Sequence, residues 1–349
     1  MFSILKPLLF NLDPETAHDL AIKSLKYNPF PSKMFEVEDE EMLNIELFGK
    51  IFPNPIGLAA GFDKSAEAYN SLFKLGFGFV EIGTVTPLIQ FGNPKPRVFR
   101  LEDDQALINR LGFNNDGSET VKKRIETNMP SSLLGINIGP NKDTENMTDD
   151  FLKCAEIFFP IGDYITINIS SPNTEGLRNF HEEEALKKLL SKINDIREKS
   201  NYNKYFLLKV SPDLEKKQIQ GIINLILEYK IDGVILTNTT NKNRENLVDS
   251  NSKEKGGLSG KPIKDISTEY VKIFYNELKG KIPIIGVGGV DSGQSAFEKI
   301  AAGASAVQLY TGLIYKGPNV VKEIKKDLIE ILKDKGFKNI NEAVGSASN

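Results

Sequence analysis

Short, almost continuously apolar runs recur from about residue 50 onward, and this recurrence restricts the possible folds more than any other feature of the sequence. The eight runs, each of five or six residues, are Pro55–Ala60, Phe79–Thr84, Leu133–Ile138, Tyr164–Ile169, Tyr205–Val210, Gly233–Thr237, Pro283–Val287 and Ala306–Tyr310. Runs of this length that do not alternate with polar residues are typical of strands buried on both faces, as in a parallel sheet.

Stretches with helical spacing separate these runs. An i, i+3, i+4, i+7 pattern is formed by Leu186, Leu189, Leu190 and Ile193. Similar spacing is found in the segments Leu214–Tyr229, Ile263–Leu278, Ser292–Ala302 and Val320–Asp334. Parallel neighbouring strands need crossover connections, and helices supply them. The sequence therefore predicts strands and helices that alternate through most of the chain.

Two α/β folds contain such alternation, a (β/α)8 barrel and an open, doubly wound sheet. Eight strand–helix units over roughly 285 residues fit a barrel, whose usual length is ~250 residues. A doubly wound sheet has its glycine-rich turn after the first strand, whereas the turn Gly286–Gly289 follows the seventh run. We therefore predict an α/β protein whose main part is a (β/α)8 TIM barrel.

The first 45 residues do not follow the alternation. Asp13 followed by Pro14 is a favourable helix start, with Asp as N-cap and Pro in the first turn. An earlier amphipathic segment has an apolar face formed by Phe2, Leu5, Leu9 and Leu12. The predicted organisation is a two-helix extension over 1–45, the barrel over 46–335 and a C-terminal tail over 336–349.

Two polar stretches are interpreted as connections. The acidic run Glu36–Glu41 is expected to be a solvated connector. The stretch Asn241–Lys255 lies between the sixth strand and its helix and is either a lid or a flexible surface loop. Near the N-terminus, Lys6 and Pro7 interrupt an apolar segment that is shorter than the ~20 residues of a membrane span. No transmembrane helix or secretory signal is therefore expected.

Composition argues against several classes of protein. The net charge is −3 and no basic run is present, so a nucleic-acid partner is not expected, because neutralising phosphates requires clustered Lys and Arg. Cys154 is the single cysteine, and His18 and His181 are the two histidines. This inventory excludes a disulfide framework and a cysteine-based metal site, and no metal is predicted.

Polar residues at the ends of the apolar runs are candidate site residues, because barrel active sites lie at the C-terminal ends of the strands. Lys64 follows the first strand, where an ordinary surface turn is an equally good interpretation. Asn137 and Asn168 end the third and fourth strands, and two such amides indicate a ligand with donor and acceptor edges. Lys209 lies within the fifth run, where a cation requires either a bound anion or a buried partner such as Asp213.

The loops after the strands add a hydroxyl and several glycines. Ser171 lies in the loop after the fourth strand, where Pro172 and Asn173 also favour a purely structural turn. No His–Asp pair is close in sequence, so a hydrolase triad has little support. The turns Gly286–Gly289, Tyr310–Gly312 and Gly256–Gly260 predict a phosphate site, because backbone N–H groups after the last two strands commonly bind phosphate in these barrels.

Six motifs carry a more specific resemblance. They are GLAAGFDK (57–64), NRLGFNN (109–115), NISSPNT (168–174), GGLSGKP (256–262), GVGGV (286–290) and LYTG (309–312). In this order and over the whole barrel, they resemble the dihydroorotate dehydrogenase family, in its quinone-using, membrane-associated class. The N-terminal helices are similar to those of that class too. The resemblance implies FMN-dependent oxidation of (S)-dihydroorotate to orotate with electron transfer to a membrane quinone, in pyrimidine biosynthesis.

The resemblance also implies ligand contacts. We call the residues expected to hold one FMN the flavin set: Ala60, Gly61, Phe62, Asp63, Lys64, Thr84, Asn137, Asn168, Lys209, Thr237, Gly260, Gly289, Tyr310 and Thr311. The substrate set, expected to bind dihydroorotate, is Lys64, Asn109, Arg110, Leu111, Gly112, Phe113, Asn168, Asn173, Asn238 and Thr239. Ser171 is the implied base for the C5 proton, where the soluble classes have cysteine. Lys209 would offset negative charge on the reduced flavin.

The same resemblance assigns the extension a function. Its two helices would form an apolar passage for quinone, with His18, Arg100 and Tyr310 at the inner end. Their outer face would lie in the interface of the inner membrane, on its cytoplasmic side, without spanning it, and the protein would be a monomer. From the residues alone, a helical hairpin packed as ordinary core is the simpler interpretation of His18.

Two other functions remain open at this stage. One is a phosphate-binding lyase or isomerase with Lys209 as a Schiff-base amine. The other is a non-catalytic protein that binds membrane surfaces through its first helices, although this leaves the polar strand ends unexplained.

Overall fold

A computed structural model describes residues 2–27, 40–200 and 204–348 of the chain. In chain order its strands are β1 (Ile45–Leu47), β2 (Lys50–Phe52), β3 (Ile56–Leu58), β4 (Phe79–Val85), β5 (Val98–Leu101), β6 (Ala106–Asn109), β7 (Leu133–Ile138), β8 (Tyr164–Asn168), β9 (Tyr205–Val210), β10 (Gly233–Leu236), β11 (Gly257–Gly260), β12 (Ile284–Val287) and β13 (Ala306–Leu309). Its α-helices are α1 (Phe2–Phe10), α2 (Pro14–Tyr27), α3 (Tyr69–Phe73), α4 (Ser118–Thr127), α5 (Met147–Phe158), α6 (Glu183–Lys199), α7 (Lys216–Glu228), α8 (Lys264–Leu278), α9 (Gly293–Ala301), α10 (Thr311–Lys316), α11 (Val320–Asp334) and α12 (Ile340–Ala343).

Eight parallel strands form a closed barrel in the order β3-β4-β7-β8-β9-β10-β12-β13. The last strand pairs with the first, with Gln308 opposite Gly57. Each strand coincides with one of the eight apolar runs to within two residues, so the predicted (β/α)8 barrel is confirmed and the doubly wound sheet is excluded.

The predicted helices are confirmed as well. The α6 stripe of Leu186, Leu189, Leu190 and Ile193 is fully buried. At ~25 cal/mol per Å2 of apolar surface, burial of such a stripe holds an outer helix on the barrel. Four other predicted segments correspond to α7, α8, α9 and α11, with bounds that differ by two residues at most.

Two additions to the barrel have no counterpart in the prediction. Strands β1 and β2 form a small antiparallel hairpin. Strands β5, β6 and β11 form a three-stranded antiparallel sheet, in which Gly257 of β11 pairs with Asn109 of β6. These partners are almost 150 residues apart in sequence. No local pattern encodes such a pairing, which depends on where the rest of the fold places the two segments.

The N-terminal extension consists of α1 and α2, as predicted. The Asp13 carboxylate caps α2 by accepting hydrogen bonds from the backbone N–H groups of Glu15 (3.1 Å) and Thr16 (2.9 Å). No helix in the described part of the chain is long and apolar enough to cross a membrane. The acidic connector predicted at Glu36–Glu41 falls largely outside the described residues, which resume at Glu40.

A buried ion pair fastens α2 to the sheet that contains β5. The Arg97 guanidinium donates to the Glu15 carboxylate through Nε (3.0 Å) and Nη2 (2.5 Å). It also donates to the backbone oxygens of Phe91 and Asn93. Burial by itself would raise the pKa of Glu15, but the hydrogen bond and charge of Arg97 lower that pKa below its ordinary value of 4.5.

Replacing Arg97 by glutamine is therefore expected to loosen α2. Loss of hydrogen bonds to a charged group costs ~1.5–3 kcal/mol, so backbone amides of α2 should exchange with deuterium roughly tenfold faster or more. Hydrogen exchange followed by mass spectrometry measures this. The control is Lys95→Gln, because Lys95 is exposed and lies 3.5 Å from the same carboxylate, and exposed pairs contribute ~0–1 kcal/mol. Equal exchange in the two variants would contradict the prediction.

The pKa of Glu15 also gives this contact a pH dependence. Because the folded-state pKa is lowered, the stabilisation is present above pH 4.5 and is lost as the pH falls through the folded-state value. Protection of α2 in wild-type protein, corrected for intrinsic exchange, should therefore decrease at pH values below about 4.5.

The polar stretch Asn241–Lys255 is held against the β5–β6 hairpin. The Asp104 carboxylate accepts from the backbone N–H groups of Val248 and Asp249, both at 3.1 Å. The Asn251 side chain donates to the Arg100 backbone oxygen at 2.9 Å. The predicted alternatives of lid and flexible loop stay predictions. The C-terminal tail packs on α9, where the Ser348 hydroxyl donates to the Ala302 oxygen.

Candidate active site

An open cavity lies at the C-terminal ends of the barrel strands, where the βα loops and the β5–β6–β11 sheet surround it. It is lined by all of the flavin set except Phe62, Asp63 and Asn137, and by all of the substrate set except Arg110. Ser171 lines it too. Residues that are scattered over 250 positions of sequence are thus brought to one site by the common direction of the strands.

One end of the cavity is formed by glycine turns. Gly289 has φ +70°, and a Cβ built on it would lie 2.5 Å from the Lys264 Cβ. Gly260 has φ +98°, and its Cβ would lie 2.5 Å from the Gln105 oxygen. Only glycine fits both positions, since L-residues rarely adopt these φ values. The hydroxyls of Ser259 and Thr311, 2.9 Å apart, lie at the same end. Exposed backbone and hydroxyl groups suit a phosphate.

The floor of the cavity contains a buried lysine. The Lys209 side chain is 5% exposed, and it makes no hydrogen bond to another residue that the structure describes. Burial lowers the pKa of Lys209, and the negative charge of Glu81 opposes this effect. Beside it, Thr237 Oγ1 and Gln308 Oε1 are buried without a hydrogen-bond partner among the described residues. Unpaired buried polar atoms cost ~1–3 kcal/mol each, so the floor is suited to a polar, planar ligand.

A chain of amides connects the floor to the loop that carries Ser171. The Asn137 Oδ1 atom accepts from Thr84 Oγ1 (2.6 Å) and from Asn168 Nδ2 (3.1 Å). Asn168 Oδ1 accepts in turn from the Ser170 hydroxyl (3.0 Å). Although Asn137 does not line the cavity, it therefore determines the position of Asn168, which does.

The Ser171 loop is held in place by asparagines. Ser171 is 5% exposed, and its Oγ accepts from the Asn173 backbone N–H at 3.2 Å. The Asn173 side chain donates to the backbone oxygen of Asn109 at 3.0 Å. No histidine of the described chain lines this cavity. A serine–histidine hydrolase therefore has no imidazole with which to activate Ser171.

Lys64 contributes a second cation, on the side of the cavity that faces α2. Burial lowers its pKa to about 8, while Glu15 acts in the opposite direction. The amine is thus largely protonated at pH 7, and it suits a carboxylate of the ligand.

Comparison with known proteins identifies the family of this site. The family model described as dihydroorotate dehydrogenase matches residues 42–332. The chain belongs to the dihydroorotate dehydrogenase family. A protein named dihydroorotate dehydrogenase (quinone) from Rhodopseudomonas palustris (strain BisA53) is 46% identical over 345 residues, which cover 97% of this chain and 94% of that protein. The mitochondrial dihydroorotate dehydrogenase (quinone) of Mus musculus is 45% identical and covers 96% of this chain, with 87% of its own length matched.

A solved structure agrees with this assignment. The crystal structure of DHODH from Eimeria tenella in complex with ferulenol has a TM-score of 0.91 and 39% sequence identity, over 96% of this chain and 95% of that one. The resemblance inferred from the six motifs is therefore confirmed. The match covers nearly all of both chains.

Three predicted ligand residues lie away from the cavity lining in addition to Asn137. The Asp63 carboxylate accepts from the backbone N–H groups of Glu67 and Ala68, both at 2.8 Å, and so fixes the turn before α3. The Phe62 ring packs edge-on against Tyr310, with centroids 5.9 Å apart. Arg110 pairs with Glu254 at 2.6 Å. Their roles in ligand binding stay predictions.

The predicted quinone residues occupy different places. Tyr310 lines the cavity. Arg100 donates to the backbone oxygens of Phe10 (3.0 Å) and Leu12 (2.9 Å), and its guanidinium lies 4.6 Å from the centre of the Phe10 ring. His18 packs edge-on against Phe62 at 5.0 Å, and burial together with Lys64 lowers its pKa to about 3, so its imidazole is neutral.

Several lining residues were not predicted. Lys6 of α1 and Tyr315 of α10 line the side of the cavity nearest the extension, and Gln308 of β13 lines its floor. A usable signal existed for Gln308, since it is a polar residue inside an apolar run, as are Asn137 and Asn168. Lys6 had no such signal, because its position depends on how α1 packs.

Proposed function

We propose that this protein oxidises (S)-dihydroorotate to orotate and passes the electrons to a membrane quinone, as a step of pyrimidine biosynthesis, with one FMN bound in the cavity. The observation that carries the proposal is the placement of Ser171, Lys209 and the two glycine turns around one cavity. The names of the relatives support the substrate and the acceptor.

The residues present fit FMN. The glycine turns and the hydroxyls of Ser259 and Thr311 would hold the phosphate, and the unpaired Thr237 and Gln308 atoms would meet polar edges of the flavin ring. Ala60, Gly61 and Lys209 would lie against the same ring system. When bound, FMN supplies a two-electron acceptor that the protein side chains lack.

The reaction requires the chain to handle one proton and to orient one hydride. Dihydroorotate loses a proton from C5 and a hydride from C6, and a quinone gains the equivalent of both when it becomes a quinol. Ser171 would accept the C5 proton. A serine hydroxyl is a weak base, so the amides around it have to acidify that proton by hydrogen bonds to the neighbouring carbonyl. Lys64 would bind the carboxylate of dihydroorotate. Its ureido edges would be bound by Asn109, Asn173 and Asn238.

The extension is the proposed entry for quinone. Lys6 and Tyr315 line the part of the cavity nearest α1, and Phe10 packs against Tyr315 with ring centroids 5.5 Å apart. Exposed Leu5 and Leu8 on α1, Leu12 in the following turn and Leu20 on α2 support contact with a lipid surface. We propose peripheral attachment of a monomer to the cytoplasmic face of the inner membrane, with no nucleic-acid partner.

The visible spectrum of the purified protein tests the proposal. We expect a bound yellow chromophore that is released as FMN on denaturation, and bleaching of its absorbance on anaerobic addition of dihydroorotate. Orotate should then be present in stoichiometric amount. A colourless protein that does not take up added FMN would contradict the proposed function. Borohydride trapping of substrate on Lys209 would favour the lyase instead.

A further inference from the structure

A buried carboxylate lies inside the barrel beneath the cavity. Glu81, in the middle of β4, is 0% exposed. It accepts four hydrogen bonds from three other strands, donated by Asn137 Nδ2 (2.8 Å), Gln308 Nε2 (3.0 Å), Tyr164 Oη (3.1 Å) and Thr166 Oγ1 (3.2 Å). A buried charge is tolerated only when donors satisfy it in this way. A barrel needs no charge at this depth for packing, because apolar branched residues usually fill the interior.

The acceptor character of Glu81 dictates which way two amides point. An ionised carboxylate can only accept hydrogen bonds, so Asn137 has to turn its amino group toward Glu81. Its Oδ1 then faces the Asn168 amino group at 3.1 Å. Asn168 consequently presents Oδ1 to the Ser170 hydroxyl, next to Ser171. The direction in which each amide of this chain points therefore follows from the single acceptor at its end.

The negative charge of Glu81 also influences Lys209. The residues opposite Lys209 on the adjacent strands are Asn168 and Ile235, which carry no charge. Tyr164 is the titratable neighbour of Glu81, and burial raises its pKa well above 10, so it is neutral near pH 7. Burial lowers the pKa of Lys209, and Glu81 is the influence that raises it.

We propose that Glu81 is a positioning residue of the active site, whose carboxylate orients the amides of Asn137 and Asn168 and supplies a negative charge to the barrel interior that contains Lys209. The inference rests on the proposed function, because Asn168 and Lys209 are expected to contact dihydroorotate and the flavin.

The test uses the flavin-loaded full-length protein and the variant Glu81→Gln. Glutamine keeps the shape but removes the charge and can donate, so the amide chain is free to reverse. Loss of that charge should lower the pKa of Lys209, so that Lys209 takes up a proton when the flavin becomes negative. Between pH 6 and 8, the midpoint potential of the variant should fall more steeply with pH, by one proton for each two electrons. Orotate, followed by its perturbation of the flavin spectrum, should bind roughly tenfold more weakly.

Two further variants make the result specific. Tyr164→Phe removes one donor to Glu81 but keeps the charge and the Asn137 contact. The pH slope of its midpoint potential and its orotate affinity should therefore equal those of the wild type. Lys209→Gln should keep the wild-type pH slope of the midpoint potential, because with Glu81 in place Lys209 is expected to exchange no proton between the two redox states. This measurement remains decisive if Glu81→Gln does not retain flavin.

Two outcomes would overturn the inference. One is a Glu81→Gln variant whose midpoint potential has the wild-type pH slope and whose orotate affinity equals that of the wild type. The other is a Lys209→Gln variant whose midpoint potential has a pH slope smaller by one proton for each two electrons. In either case, wild-type protein that is reduced by dihydroorotate would leave the proposed function intact. Wild-type protein that carries flavin but is not reduced by dihydroorotate would instead contradict the proposed function.

Discussion

Replacing Ser171 by alanine is expected to slow flavin reduction by dihydroorotate about 10²- to 10⁴-fold, the usual contribution of a positioned general base. Ser171 lines the cavity, and its Oγ accepts only the Asn173 backbone N–H among the described residues, so it is the hydroxyl available for the C5 proton. The absorbance and stoichiometry of bound flavin should not change, because the flavin set is untouched. Anaerobic stopped-flow measurement of flavin bleaching gives the rate.

A matched control for this variant is Ser211→Ala. Ser211 lies in the turn after the next strand, is fully buried, and accepts from the Asp213 backbone N–H at 3.1 Å, but it does not line the cavity. Its loss should lower stability modestly and leave the reduction rate within a few-fold of wild type. If Ser171→Ala were reduced as fast as Ser211→Ala, Ser171 would not be the base.

Removing residues 1–40 is expected to slow reoxidation by quinone without slowing flavin reduction by dihydroorotate. The truncated protein should still be reduced by dihydroorotate, because Ser171, Lys209 and the glycine turns all lie in the barrel. Reoxidation by a lipid-soluble quinone in vesicles should fall by orders of magnitude, because α1 and α2 are the proposed passage. Both rates are measured on one preparation, so loss of reduction by dihydroorotate would reveal misfolding.

A water-soluble dye acceptor provides the control for the truncation. It does not need an apolar passage and should reoxidise the truncated protein at least as fast as the intact one. Equal quinone turnover in truncated and intact protein would contradict the role of the helices. Equal losses with quinone and dye would indicate damage to the flavin site.

The barrel could be predicted because each of its strands and helices produces its own residue pattern within a short segment of the sequence. A strand covered on both faces must be apolar at nearly every position, so each strand leaves a contiguous run such as Leu133–Ile138. A helix packed on the outside leaves a spaced stripe, as in α6. The parallel arrangement follows because a helix stands between successive strands.

Much of the site was predictable for a related reason. In a parallel barrel every strand ends at the same face, so polar residues after apolar runs converge wherever the strands lie. Asn168, Lys209 and the turn at Gly289 were found in this way. Their specific ligands came from the resemblance of the motifs, because strand ends alone leave a lyase and an oxidoreductase equally possible.

The sequence by itself therefore determined the barrel, its two-helix extension and the strand ends that face the cavity. Only the tertiary structure decided that β11 pairs with β6, that Arg97 fastens α2, and that Glu81 accepts four hydrogen bonds inside the barrel. Each of these joins groups that are far apart along the chain, and the energy of such a contact depends on distance and burial in three dimensions. Neither quantity is present in a local pattern of residues.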